Sequence, residues 1–277
     1  MALTNFIPVI WSARLNNALE KKLVFGNLVT HEYEGEIKGQ GSSVKINAIG
    51  DVTIGDYDPD EGIDAPEELT AAQTTLVVDQ AKYFNFSVDD IDKAQSNVNV
   101  LDAGIRKAAY NLADEMDQYI AGLYTEADVD NLIGDDEEPV EVDITDAYDL
   151  IVDLGVKLDE ANIPEDGRFV VVPAWFHGLL LKDARFTKDS AILATGYIGE
   201  VNGMQVFKSN NVANDDGADY KIMAGYDGAI AFAQQLDSVE SYRPEGGFKD
   251  AVKGLQLYGA KVIQPKGIAV LTANPKA

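Results

Sequence analysis

The chain has 277 residues, enough for one large domain or two modest ones, and 46% of them are hydrophobic, as in a folded protein. Its 47 Asp and Glu against 22 Lys and Arg give a formal net charge of -25, which repels polyanions and argues against a nucleic-acid-binding module. The absence of Cys excludes disulfides, thiolate metal sites and Cys nucleophiles, and no apolar run approaches the ~18–20 residues that span a bilayer.

Residues 1–27 read as an amphipathic arm. Ile10, Trp11, Leu15, Leu19 and Leu23 recur at helical spacing, Pro8 precedes them, and Gly26-Asn27 ends the pattern. The start lacks the basic residues and small-residue cleavage site of a signal peptide, so the chain reads as made in the cytoplasm. Two readings stand for the arm: it docks on a partner chain, or it packs on its own core.

Over residues 28–90 the period changes to two. Val29 to Glu34 and Val44 to Asn47 alternate going out, while Thr75 to Asp79 and Phe84 to Val88 return. Gly35, Gly39, Gly41, Gly50 and Gly55 punctuate the outgoing part, and KGQGSSVKI reads as a bend. The stretch between, DVTIGDYDPDEGIDAPEELT, has many acids and no base. This is a two-way β arm with a charged tip, and isolated ribbons are marginal, so it is expected to pack on another subunit.

Residues 97–124 read as one long helix. Val100, Leu101, Ile105, Ala108, Ala109, Leu112, Met116, Tyr119, Ile120 and Leu123 form an apolar stripe, with Arg106, Asn111, Asp114, Asp117 and Gln118 off it. At 1.5 Å per residue the rod is about 35–40 Å long, well beyond an average globular helix. An acidic stretch follows over 126–149, in which Gly134 to Pro139 is a solvated loop. A second helix covers 145–162, weakened by Gly155. Residues 168–173 are a short apolar strand stopped by Pro173, and 174–182 a helix. A hairpin lies within 196–212, with Gly203 at its turn. The last third is mostly strand: 220–224, 229–232, 238–242, 255–262 and 267–271. The order is mixed α+β without a βαβ rhythm.

No constellation of catalytic residues stands out. His31 and His177 are the only histidines, and both read as structural. Neither a phosphate loop, a nucleophile elbow nor a zinc helix motif is present. Asp56, Asp58, Asp60, Asp64 and Glu67 fall at calcium-loop positions, but Gly62 is one place late, Pro59 stiffens the turn and strands flank it. They read first as a solvated acidic tip, with a calcium site as the alternative. No catalytic, cofactor-binding or metal residue is therefore assigned, and a carboxylate-dependent acidic hydrolase remains only as a remote reading.

Four stretches together resemble a family. IPVIWSARLNNALEKKLVFGNLVTHEYEGEI, TTLVVDQAKYFNFSVDDIDKAQ, RFVVVPAWFHGLLLKDARFT with GYIGEVNGMQVFKSNNV, and GLQLYGAKVIQPKGIAVLTA are similar, in order, to the major capsid proteins of tailed double-stranded DNA bacteriophages with the Hong Kong 97-like fold. The resemblance implies an N-arm (1–27), an extended loop (28–90) reaching over a neighbouring subunit, a peripheral domain (91–142 and 226–262) with 97–124 as its spine, and an axial domain (143–225 and 263–277). It further implies hexamers and pentamers of an icosahedral shell around double-stranded DNA, in a virion made in the host bacterial cytoplasm. The implied partners are other copies of the chain, a portal protein and a decoration protein, with no membrane. A cleaved scaffolding segment of the kind some members carry is not recognisable, so a separate scaffolding protein, or a processed chain, is expected. Lys38 and Lys45 lie on the loop, but no Asn and Glu match the cross-linking sets of some members. An encapsulin-type nanocompartment shell is the alternative on the same fold.

Overall fold

The computed structural model describes residues 23–34, 41–49, 71–89, 100–183, 185, 199–245 and 249–276. Its described α-helices are α1 (Val100–Ala121), α2 (Ala147–Glu160) and α3 (Ala174–Lys182). Strand β6 (Arg168–Val172) is buried along its whole length, and its alternation divides the molecule. Phe169 and Val171 join one hydrophobic core, and Val170 and Val172 join another. Successive side chains on a strand face opposite ways, so a strand apolar at every position needs a layer on each side. β9 (Tyr220–Tyr226) and β12 (Ile268–Pro275) follow the same rule. Met223, Ile268 and Val270 face the first core; Ile222, Ala224, Ala269 and Leu271 face the second.

These strands belong to a seven-stranded mixed sheet ordered β4 (Leu132–Ile133), β12, β9, β6, β8 (Met204–Lys208), β7 (Glu200–Val201), with β5 (Val140–Val142) also pairing β12. β6 and β8 run parallel with α3 between them in sequence, a βαβ crossover that the sequence pattern does not announce. The β7–β8 turn is Asn202-Gly203 with φ of 50° and 74°, the left-handed pair that a two-residue hairpin of right-handed twist requires.

On the second-core side, α2 and α3 bring Ile151, Leu154, Leu158, Phe176 and Leu180 against the sheet. α2 ends where Asn162 turns left-handed, the Ile163 N–H closes on the Leu158 carbonyl at 3.0 Å, and Pro164 follows. Arg168 is buried at the start of β6 and keeps its charge satisfied. Its guanidinium donates to the Ile163 and Pro164 carbonyls at 2.5 and 2.8 Å and to Asp159 at 2.6 Å.

On the first-core side lie α1 and an antiparallel sheet, β10 (Ile230–Tyr242)–β11 (Lys249–Val262)–β3 (Gln80–Asp89). The expected strands at 229–232 and 238–242 are one strand, β10, with a register shift between Leu236 and Ser238. α1 buries Ile105, Ala108, Ala109, Leu112, Ala113, Met116, Ile120 and Ala121. The helix ends sooner than the apolar pattern: at Gly122, a poor helix former, the chain tightens into a 3-10 turn, Gly122–Glu126. The expected start at 97–99 lies outside the described residues. The stripe is also wider than its apolar members, because Asp117 is buried among them at 1% exposure.

The alternation at 29–34 does not make a strand. Thr30 forms a single parallel bridge with Ala231, after which the chain turns through Glu34, whose N–H meets the His31 carbonyl at 3.2 Å. A two-stranded ribbon does form, β1 (Ser43–Ile49) against β2 (Ala71–Val77). Its base packs within the same chain, where the sequence points to another subunit. Val44, Ile46, Leu76 and Val78 cover Ala231, Ala233 and Leu257 in a third, small core. Small residues on β10 and β11 admit the ribbon, and at Gly259 an ideal Cβ would stand 2.2 Å from the Val77 carbonyl oxygen. The ribbon tip at 50–70 lies outside the described residues.

Gly259→Ala is therefore expected to force the ribbon base off β11 and cost about 1–3 kcal/mol, as overpacked sites do. Urea unfolding of the isolated subunit measures it, and an unchanged midpoint would refute the contact.

Candidate functional site: arm junction and ribbon base

The ribbon base and the arm junction at 23–34 each hold a segment that continues beyond the described residues. At the junction Phe25–Asn27 form a 3-10 turn, and Leu23, Phe25 and Val29 are buried in the first core against α1. The turn leaves backbone donors pointing at the helix. Asp117 Oδ2 accepts the Val24 N–H at 2.8 Å, and Oδ1 accepts the Gly26 N–H at 3.1 Å. A side chain that looks misplaced on an apolar stripe is thus the acceptor for an irregular segment that cannot satisfy its own backbone. Burial pushes the Asp117 carboxyl up to about 6, and the backbone N–H groups oppose that rise.

His31 closes the junction from the other side. Its Nε2 lies 2.6 Å from the Gly26 carbonyl, its Nδ1 2.7 Å from Glu34, and its ring meets Phe232 edge-on at 5.5 Å. The Glu34 carboxylate raises its pKa above the usual value, against the opposing effect of burial. The Thr30 N–H bonds the Ile230 carbonyl and the Phe232 N–H bonds the Thr30 carbonyl, both at 3.0 Å, fixing the junction to the edge of β10. On the far side of α1, Lys82 of β3 bonds Glu115 at 2.7 Å, and the Tyr119 hydroxyl reaches Asp79 at 3.2 Å.

His177 sits on α3, where burial first and Lys208 second lower its pKa. The candidate calcium set Asp56, Asp58, Asp60, Asp64 and Glu67 lies outside the described residues. Among the described residues no group of three or more His, Cys, Asp or Glu could hold a metal ion, and no helix is long and apolar enough to cross a membrane. An open groove of about 610 Å³ runs between β3 and α1, lined by Phe84, Phe86, Ala108 and Leu112. Another of about 660 Å³ lies beside Trp175 and Leu179. Asp117 is the junction residue that reading the sequence misses. Its signal is an acid set four residues after Ala113 and three before Ile120, inside the stripe.

The described residues thus form a double-core body with one long helix, to which the arm junction and the ribbon base are anchored. The phage capsid protein family model matches residues 71–271. A solved structure from Mycobacterium phage Che8 shares 34% identity with a TM-score of 0.74, covering 90% of each chain. The capsid of cyanophage P-SCSP1u, at 16% identity, matches with a TM-score of 0.72 over 91% of this chain and 88% of that one. A virus-like particle from Pyrococcus furiosus, at 12% identity, matches with a TM-score of 0.61 over 94% and 96%. No curated protein matches the sequence. The chain belongs to the phage capsid protein family. It is a major capsid protein of the tailed-phage kind, with the Hong Kong 97-like fold, and its place is the capsid shell of the virion.

Asp117→Ala is expected to leave the Val24 and Gly26 N–H groups buried without an acceptor and to cost about 1–3 kcal/mol. Asp114→Ala, one turn away and partly exposed, is expected to stay within about 0.5 kcal/mol in the same denaturation experiment.

Proposed function

We propose that this capsid subunit assembles into hexamers and pentamers of an icosahedral shell that encloses double-stranded DNA. The single observation that carries the reading is the ribbon β1–β2, anchored at its base on the body, on a phage capsid family chain 34% identical over 90% of its length to a Mycobacterium phage Che8 chain. A ribbon held at one end is a lever for contacting a neighbour, and a contact repeated around a closing rotation makes a ring. In this reading residues 1–27 are the N-arm and 28–90 the extended loop. Residues 91–142 with 226–262 form the peripheral domain, and 143–225 with 263–277 the axial domain. α1, β10 and β11 supply the peripheral unit, with β3 joining it from the end of the extended loop, and the seven-stranded sheet with α2 and α3 supplies the axial one, while β4 and β5 join that sheet from the end of the first peripheral segment.

The partners are other copies of the chain, a separate scaffolding protein, a portal protein and a decoration protein, with synthesis in the host bacterial cytoplasm. DNA is enclosed without sequence-specific contacts, as a formal charge of -25 favours. A nanocompartment shell holding protein cargo is the second reading, supported by the Pyrococcus furiosus particle at the level of fold.

Light scattering and electron microscopy of the chain with its scaffolding partner test the proposal. Closed shells are expected, and persistent monomers would refute it. Removing residues 1–22 is expected to suppress shell formation while leaving the thermal midpoint of the subunit within a few degrees, because the anchored junction begins at Leu23. Normal assembly of the truncated chain would refute the docking role of the arm.

A further inference from the structure

The Gly26 peptide is gripped from both sides by ionisable side chains. Its N–H donates to Asp117 at 3.1 Å, and its carbonyl lies 2.6 Å from His31 Nε2. Asp117 is 1% exposed, and among the described residues no Lys, Arg or His forms an ion pair with it. Both ring nitrogens of His31 face acceptors, the Gly26 carbonyl and the Glu34 carboxylate. A neutral imidazole can donate to only one of them; the imidazolium donates to both.

We propose that the arm junction is a proton-operated clasp, in which protonation of Asp117 and His31 tightens the seating of residues 23–31 on α1 and deprotonation loosens it. The sign follows from linkage. The docked Asp117 carboxyl sits at about 6 against 3.8 when exposed, so the docked state holds its proton more firmly. Seating strengthens as pH falls from 7 toward 4 and weakens as pH rises through about 6. His31 acts in the same sense: its docked value is raised above 6.5, so its contribution is complete below 6.5 and is lost as pH rises through the docked value. The other ionisable groups facing the junction do not reverse this. Asp114 on α1 adds a small push upward on Asp117, and Glu34 on the turn supports the His31 cation. β10 and β11 present Phe232 and Tyr258, whose phenol is pushed up to about 12 and stays neutral across this range.

Hydrogen exchange of the full chain, read by mass spectrometry on peptides covering 23–31 and corrected for intrinsic rates, tests the clasp from pH 7.5 to 5. Wild-type protection is expected to rise about tenfold between pH 7 and 5 from Asp117 alone. Asp117→Asn keeps an acceptor oxygen but does not titrate, so the larger part of the step should vanish. Adding His31→Gln should flatten what remains. Wild-type protection that stays level or falls with acidity would overturn the proposal, as would an equal rise in peptides from α2 or an Asp117→Asn profile matching wild type. If Asp117→Asn fails to fold, the wild-type profile and the single His31→Gln variant, which should lose only the smaller step, still decide.

Discussion

A two-stranded ribbon has no second layer of its own to bury, and that constraint organises this molecule. Two strands with one apolar face are marginal in water. β1 and β2 therefore need a floor, and the chain supplies one at their base: Val44, Ile46, Leu76 and Val78 rest on Ala231, Ala233 and Leu257. Ala231, Ala233 and Gly259 keep that floor low enough for backbone to approach backbone. The Gly41 N–H and the Val78 N–H continue the ladder at 3.0 Å to the Val78 and Ser42 carbonyls, so the ribbon leaves the body already paired. β11 then has to be long, because it carries this floor at one end and pairs β10 and β3 along its length.

The arm junction meets the same difficulty in a different way. An irregular segment laid on a helix buries donors that neither element can satisfy. A single carboxylate in the apolar stripe solves it, at the cost of desolvating an acid without a cation. α1 thereby becomes the common member: the junction, β3 through Lys82, Asp79 just before β3, and the underside of β11 are all fastened to it. A displacement of any one of these segments would have to move or break a contact on the same helix.

Much of this plan is legible in the chain. The long helix shows in the spacing of Ile105, Leu112 and Met116, and the two-sided burial of β6 shows in Phe169 to Val172, which are apolar without alternation. Turn chemistry marks Gly203. What is not legible is set by tertiary context. The alternation at 29–34 looks like a strand, yet His31 draws the chain into a turn through contacts with Gly26, Glu34 and Phe232 that no local pattern reveals. The ribbon looks uncovered because its floor lies more than 150 residues away in sequence, at Ala231, Ala233 and Leu257. Asp117 looks like a solvent-facing acid because its partners are backbone atoms of a distant turn, and backbone atoms leave no trace in composition.

The excess of acid constrains how such subunits can meet. Several basic groups already face carboxylates of their own chain: Arg168 with Asp159, Lys221 with Asp136, Lys253 with Glu240, Lys261 with Glu126 and Lys276 with Asp143. Identical acidic bodies repel, but at physiological salt the repulsion is screened beyond about 8 Å. In a shell, cohesion must then come from contacts shorter than that range and independent of net charge, which means apolar burial and backbone pairing. The body exposes large apolar side chains at Tyr83, Val129, Leu132 and Ile144. In the proposed shell a subunit built this way would join its neighbours through apolar contacts and backbone pairing, and its charge would limit association to surfaces that fit closely.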